Sequence, residues 1–157
     1  AHVAFTSTTL SGSPTFNLNN VNGAGIATLG LGTLNDGGVA RTITLTTTGS
    51  PSALSIGGTS PSTYSGTINV TNGTYLVLAG AGATGTGTVN VTNGSVVYAA
   101  TSANSGGTIL IGDTTGSSSA TLSVGASGVV VNNPFVLQTG STGTQWTKQG
   151  DECTHYS

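Results

Sequence analysis

Two aspartates, Asp36 and Asp113, are the carboxylates that lie outside residues 144–157. A pair of carboxyl groups is the machinery of most glycoside hydrolases, because one donates a proton while the other attacks the sugar or activates water. Here each aspartate adjoins glycine, which is typical of turns. We therefore expect both to be turn residues, and we predict a protein that is not an enzyme and has no catalytic residue.

Residues 144–157 hold most of the other reactive side chains. Four of them are of metal-ligating types. They are Asp151, Glu152, Cys153 and His155. Because the C-x-H spacing lacks the second pair of a zinc site, we predict neither a metal nor a cofactor. Trp146 and Tyr156, in the same stretch, are candidate ligand contacts, since aromatic side chains could touch a glycan.

Charge is nearly absent from the chain. Of 157 residues, two are basic and four are acidic, or 4% in all, and half of these six lie in the last ten residues. Nucleic-acid binding needs a basic surface, so we exclude it. Acid–base catalysis draws on titratable groups, and their scarcity supports the prediction of a non-enzyme. No apolar run is long enough for a transmembrane helix.

An internal repeat is the main structural signal. Residues 66–78, GTINVTNGTYLVL, align without a gap with residues 87–99, GTVNVTNGSVVYA, at an offset of 21. Within each copy apolar and polar residues alternate, as they do in half-buried strands. The spacing of Leu54, Tyr75 and Val96 extends the period of 21 beyond this pair.

Identical residues at identical positions favour coils stacked on one another. We predict an all-β fold, a parallel β-helix or β-solenoid with about seven coils of about 21 residues each. The alternative is an antiparallel β-sandwich in which Asn-Gly closes hairpins. In the solenoid, asparagines stack as amide ladders and the following glycines supply positive φ. The predicted ladder and turn residues are Asn69, Asn72, Gly73, Asn90, Asn93 and Gly94.

The two ends of the chain differ from its middle. We place one solenoid domain at residues 1–143, with an irregular strand region at residues 1–25, and a tail or cap at residues 144–157. Val3 and Phe5 alternate with smaller residues and are the candidates for strand exchange with a neighbouring molecule. Because the chain begins with Ala1, we expect that a signal peptide has been removed.

The first repeat resembles a known family. Residues 62–74, STYSGTINVTNGT, followed by Leu76-Val77-Leu78, resemble the passenger-associated transport repeat of bacterial autotransporters. The second copy matches from Gly87 to Val97 but lacks the tyrosine before its first glycine. This resemblance implies a right-handed parallel β-helix that is exported to the cell surface, in which the repeat is a stalk element without catalytic residues.

We therefore expect an extracellular structural protein, secreted or held at the bacterial cell surface. It would be a stalk or a filament subunit that assembles with itself through strand edges. One alternative is an adhesin that recognises surface glycans. Another is a polysaccharide-active or ice-binding solenoid, since Thr42-Ile43-Thr44 and Thr44-Leu45-Thr46 resemble the T-x-T arrays of ice-binding solenoids.

Overall fold

A computed structural model describes residues 2–20, 25–138, 145–149 and 152–156, the last two ranges only by their strand pairing. One short 3₁₀ helix lies at Thr101–Ala103. The strands of the described residues are β1 (His2–Ala4), β2 (Ser7–Thr9), β3 (Thr15–Asn17), β4 (Ala27–Gly30), β5 (Thr33–Asn35), β6 (Thr42–Thr46), β7 (Ser52–Ile56), β8 (Thr67–Val70), β9 (Thr74–Leu78), β10 (Thr88–Val91), β11 (Gly94–Tyr98), β12 (Ile109–Ile111), β13 (Ala120–Val124), β14 (Phe135–Leu137), β15 (Gln145–Gln149) and β16 (Glu152–Tyr156).

The strands stack into three sheets that share one core. The first sheet has eight strands in the order β1-β4-β7-β9-β11-β13-β15-β16, the second has six in the order β14-β12-β10-β8-β6-β3, and β2 pairs with β5. Every pair of neighbouring strands is parallel except β15–β16. The predicted β-solenoid is confirmed, with about five turns, and the antiparallel sandwich is wrong.

The coils differ in length, from close to the predicted value of about 21 residues to several residues more. In the six-stranded sheet Thr67 pairs with Thr88, at an offset of 21. In the eight-stranded sheet Tyr75 pairs with Ser95, at an offset of only 20, and not with Val96. Elsewhere the offset reaches 29, where Thr15 of β3 pairs with Thr44 of β6. Longer coils leave room for about five turns rather than about seven.

Side-chain direction explains why the offset differs between the two sheets. Alternate residues of a strand point to opposite faces, so a shift by one position moves every side chain to the other face. With the observed pairing, Leu54, Leu76 and Val96 stack in one buried row. An offset of 21 would instead put the buried Val96 beside the half-exposed Tyr75. The apolar core therefore sets the register of this sheet.

The core consists of such rows running along the solenoid. Ile43, Ile68, Val89 and Ile109 form one row of the six-stranded sheet, and all four are fully buried. Burying a side chain of this size contributes about 1.5–3 kcal/mol relative to leaving it exposed. Because the same row is filled in each coil, every coil covers the core of the one before it.

Three glycines allow the coils to approach at the entrance to the six-stranded sheet. A Cβ added at Gly66 would lie 1.8 Å from the carbonyl oxygen of Arg41, and one at Gly107 would lie 1.9 Å from that of Gly87. At Gly87 it would lie 2.5 Å from the ring of Tyr64. The glycine that begins each repeat is thus required by close packing between coils.

The two ends of the chain also join the sheets. Strands β1, β2 and β3 lie in the region predicted to be irregular, and they pair with β4, β5 and β6 as a first coil. At the other end β15 pairs in parallel with β13, and β16 returns antiparallel to β15. The predicted domain boundary after residue 143 lies outside the described residues.

A test of the close approach uses two glycine variants. We expect Gly107→Ala to lower the free energy of unfolding by about 1–3 kcal/mol or more, because its Cβ would overlap the backbone of the preceding coil. Gly12→Ala is the matched control, since an added Cβ there meets nothing within 4 Å. Urea unfolding measures both. Equal stability of the two variants would contradict the glycine stack.

Candidate functional site

Asp36 is the buried charged group of the described core. Its side chain is 1% exposed, although it lies in the turn after β5. One carboxylate oxygen accepts hydrogen bonds from the backbone N–H and the hydroxyl of Ser65, both at 2.7 Å, and the other accepts from the N–H of Gly38 at 3.0 Å. Asp36 thus fixes its own turn and ties it to the next coil.

These donors explain the ionisation of Asp36. The hydroxyl of Ser65 is the largest influence and lowers the pKa of the Asp36 carboxyl, while burial opposes it and backbone N–H groups of Ser65 and Gly38 add to the lowering. The group is therefore held as a carboxylate. A carboxylate whose oxygens already accept three hydrogen bonds is suited to holding the chain in place rather than to giving up a proton.

Tyr64 lies beside this carboxylate and is fully buried. Its hydroxyl lies 2.5 Å from the carbonyl oxygen of Arg41 and 2.7 Å from that of Thr67, so the single proton is shared between two acceptors. Burial raises the pKa of Tyr64 well above its ordinary value, and the nearby Asp36 charge acts in the same direction. Tyr64 therefore stays neutral and joins consecutive coils.

Asp113, the second candidate acid, has a local role. Its carboxylate accepts a hydrogen bond from the N–H of Gly116 at 2.7 Å, within one turn. The structure gives each aspartate its own turn, Asp36 after β5 and Asp113 after β12. Among the residues whose side chains are described, no group of three His, Cys, Asp or Glu could hold a metal ion.

The asparagine ladder is present in part. The Asn90 amide donates to the side-chain oxygen of Asn69 at 3.3 Å, across one coil. Gln138 extends it by donating to the side-chain oxygen of Asn90 at 3.1 Å and to the carbonyl of Gly112 at 2.6 Å. The repeat indicated the first of these contacts, but Gln138 lies outside the repeat and was not predicted.

The two Asn-Gly turns have different conformations. Asn72 and Gly73 have φ of 54° and 76°, whereas in the second copy only Gly94 has positive φ, at 145°. The Asn72 amide donates to the hydroxyl of Thr46 at 2.7 Å, and the N–H of Gly73 donates to the carbonyl of Asn93. Within residues 25–138 the structure therefore does not join the side chains of Asn72 and Asn93.

Asn133 makes a cross-coil contact that no sequence pattern indicated. It is 3% exposed, and its amide donates to the carbonyl of Gly107 at 2.7 Å and to the hydroxyl of Ser105 at 3.1 Å. The side-chain oxygen accepts from the N–H of Ser105 at 2.9 Å. It belongs to no repeat, and Asn-Pro in the sequence indicates only a turn.

The outer face of the six-stranded sheet carries stacked threonines. Thr42, Thr67 and Thr88 pair in register in three successive coils. None of their hydroxyls has a hydrogen-bond partner among the described residues. In the neighbouring outward row, the polar Asn90 is followed in the next coil by the apolar Leu110. That row thus loses its polar side chains at Leu110.

The first coil leaves apolar side chains open to solvent. Val3 pairs with Leu29, in the row that Leu54 and Leu76 fill further along the solenoid, yet Val3 is 57% exposed. Phe5 is 56% exposed. Val3, Leu18 and Leu29 line part of a cavity of about 300 Å³. Among the described residues, nothing pairs with the outer edge of β1.

The C-terminal candidates are described only by their strand pairing. Trp146 lies opposite His155, and Gln145 lies opposite Tyr156. The side chains of Trp146 and Tyr156 lie outside the described residues, as do those of the possible metal ligands. Glycan contact through Trp146 and Tyr156 therefore stays a prediction.

Within the described residues no helix is both long and apolar enough to cross a membrane. The chain matches no family model, no curated protein and no solved structure.

Two tyrosines allow a matched test of the buried hydrogen bonds. Tyr64→Phe should lower the free energy of unfolding by about 1–3 kcal/mol, because two carbonyl groups lose their shared donor. Tyr98 is equally buried, but its hydroxyl has no hydrogen-bond partner in the part of the chain that the structure describes. Tyr98→Phe should therefore leave stability unchanged or raise it. Denaturant titration measures the stability of both variants. A larger loss of stability in Tyr98→Phe than in Tyr64→Phe would refute the hydrogen bonds assigned to Tyr64.

The lowered pKa of Asp36 predicts a pH dependence of folding. An unfolded aspartate titrates near pH 3.9, and the folded group binds its proton less tightly. Ionised Asp36 therefore stabilises the fold above that pH. This stabilisation is lost as the pH falls through the lowered pKa that Asp36 has in the folded protein. When the free energy of unfolding is measured from pH 7 to pH 2, it should fall more steeply for the wild type than for Asp36→Asn. Parallel curves would contradict the prediction.

Proposed function

We propose that the protein is an extracellular structural rod, secreted or held at a bacterial cell surface, that works as a stalk or as a subunit of a surface filament. The observation that carries the proposal is the parallel stacking of strands from coil to coil, which runs from β1 to β15 in the eight-stranded sheet and through the whole six-stranded sheet. In such a stack the backbone hydrogen bonds run along the solenoid axis, and each coil contacts only its neighbours. Its length is therefore set by the number of coils.

Cross-coil polar contacts support a mechanical role. The bonds of Asp36 to Ser65, Asn90 to Asn69 and Asn133 to Gly107 each join consecutive coils. They lie at different places along the chain, so several coils are secured in addition to their strand pairing. The buried carboxylate of Asp36 is used within this framework, which leaves it poorly placed for catalysis.

The lack of charge supports the same function. Like charges directly opposite on neighbouring strands repel each other, and a stack of equivalent coils would repeat that repulsion at each step. Neutral threonine and asparagine stack at these positions instead, Thr67 over Thr88 and Asn69 over Asn90, and the Asn90 amide donates a hydrogen bond to Asn69. An uncharged edge also lacks the usual barrier to pairing with another strand.

The location rests on the resemblance of residues 62–78 to autotransporter passenger repeats. Such repeats belong to surface-exposed stalks, so the resemblance supports export and a surface location for this chain. Ice binding has less support than the rod, because the row of Thr44, Asn69 and Asn90 ends at Leu110.

Immunogold electron microscopy of cells that produce the protein natively tests this proposal. Antibody against the purified chain should label the outside of intact cells, on fibres or stalks, and pre-immune serum is the control. Labelling confined to the cell interior would overturn the proposal. Surface label that depends on bound glycan and is lost in Trp146→Ala would favour the adhesin instead.

A further inference from the structure

We propose that Asn93, in the turn between β10 and β11, is a site of spontaneous covalent modification. The backbone nitrogen of Gly94 attacks the side chain of Asn93, ammonia leaves, and water then produces aspartate or isoaspartate. Asparagine is among the thermolabile residues of proteins, so the reaction needs neither an enzyme nor a cofactor. It is also independent of where the rod is located.

Two turns of the rod share the sequence Val-Thr-Asn-Gly. The first contains Asn72 and Gly73, and the second contains Asn93 and Gly94. In both turns glycine follows asparagine, so no Cβ shields the backbone nitrogen that must reach the asparagine side chain. The local sequence therefore favours the reaction equally at both turns, and a difference between them must come from the fold.

Hydrogen bonds hold both of the reacting groups at Asn72. Its side-chain amide donates to the hydroxyl of Thr46 at 2.7 Å, and the N–H of the next residue donates to the carbonyl of Asn93 at 3.0 Å. Thr74 closes the same turn, because it is fully buried and donates to the carbonyl of Thr71 through its N–H at 3.1 Å and its hydroxyl at 2.8 Å. The amide and the nitrogen must leave these bonds before they can react.

Asn93 is restrained less than Asn72. Its side chain has no hydrogen-bond partner within the described part of the chain. Its backbone N–H shares the carbonyl of Val70 with the N–H of Thr92, at the long distances of 3.3 and 3.2 Å. Asn93 is also partly exposed, so water can reach the intermediate that forms there.

The nitrogen that attacks Asn93 is covered by a loop of the next coil. The N–H of Gly94 donates to the carbonyl of Ser119 at 3.2 Å. Ser119 is exposed and ends the connection between β12 and β13, residues 112–119. Segments with few buried contacts open more readily than packed strands. Opening of this loop frees the nitrogen for attack.

The reaction balances with water alone. A bond forms between the nitrogen of Gly94 and the Cγ atom of Asn93, and the bond from Cγ to Nδ2 breaks. The proton that the attacking nitrogen loses is returned to the leaving group, which departs as ammonia. Water then opens the resulting succinimide ring at one of its two carbonyl groups. One product is aspartate, and the other is isoaspartate, in which the main chain runs through the side-chain carbonyl.

Either product changes the rod at this coil. It adds a negative charge to a chain whose formal net charge is −2. Isoaspartate also lengthens the main chain within the short connection from Val91 to Gly94. That connection helps to set the offset of 20 between β9 and β11, so the modified coil should stack less well on its neighbours. A rod that is not replaced would therefore accumulate charge at one coil as it ages.

Peptide mapping by mass spectrometry tests the site. The folded full-length chain is incubated in mildly alkaline buffer, then unfolded and cut with chymotrypsin after Tyr75, which separates Asn72 from Asn93. The mass of each peptide reports deamidation, and isoaspartyl methyltransferase labels isoaspartate. Asn93 should be converted about fivefold faster than Asn72 or more, since the loss of one ordinary hydrogen bond changes a rate by about this factor. Equal conversion, or faster conversion of Asn72, would overturn the proposal.

The unfolded chain is the first control. In urea both asparagines should react at the same rate, because their local sequences match and the hydrogen bonds of the fold are lost. A preference for Asn93 that persists unchanged in urea would show that the fold does not cause it, which overturns the proposal. Conversion of Asn93 in urea but not in the folded chain would overturn it as well.

A pair of threonine variants is the second control. Thr46→Val removes the hydroxyl that binds the Asn72 amide, so it should speed the reaction at Asn72 and leave the rate at Asn93 unchanged. Thr44→Val is the matched variant, because Thr44 also lies in β6 and its hydroxyl has no hydrogen-bond partner among the described residues. It should change neither rate. An unchanged Asn72 rate in Thr46→Val would refute the restraint on which the preference for Asn93 depends.

Discussion

Every coil of the solenoid must direct its apolar side chains onto those of the coil before it. Strand side chains alternate between faces, so each coil length must preserve both the position and the direction of the buried rows. The requirement applies to each sheet separately. Thr67 meets Thr88 at an offset of 21, while Leu76 meets Val96 at an offset of 20, and both pairings keep apolar residues inside.

Other features of the sequence follow from this stacking. Where one coil passes close to the next there is no room for a side chain, and glycine occurs at Gly66, Gly87 and Gly107. Where polar groups stack, neutral residues hydrogen-bond to their equivalents, as Asn90 does to Asn69. Where a charge is buried, as at Asp36, it is surrounded by hydrogen-bond donors. In the first described coil Val3 is exposed, although it pairs with Leu29 of the next coil.

The sequence predicted the solenoid and the pairing of β8 with β10, because two nearly identical segments align without a gap. It did not predict that β11 shifts by one position, since the turn at Asn93 and Gly94 is tighter than its likeness to Asn72 and Gly73 implies. Alternation alone contained a clue, because only an offset of 20 stacks Leu76 on Val96. Contacts such as those of Asn133 join loops without repetition, and single-sequence periodicity carries no signal for them.

The register of the two sheets determines which side chains form the core, and nuclear Overhauser contacts between backbone protons of labelled protein measure it. We predict contacts across strands from Thr67 to Thr88 and from Tyr75 to Ser95, which are offsets of 21 and 20. Contacts from Tyr75 to Val96 would show that one period of 21 runs through both sheets. That result would place Val96 on the outer face and contradict the core described above.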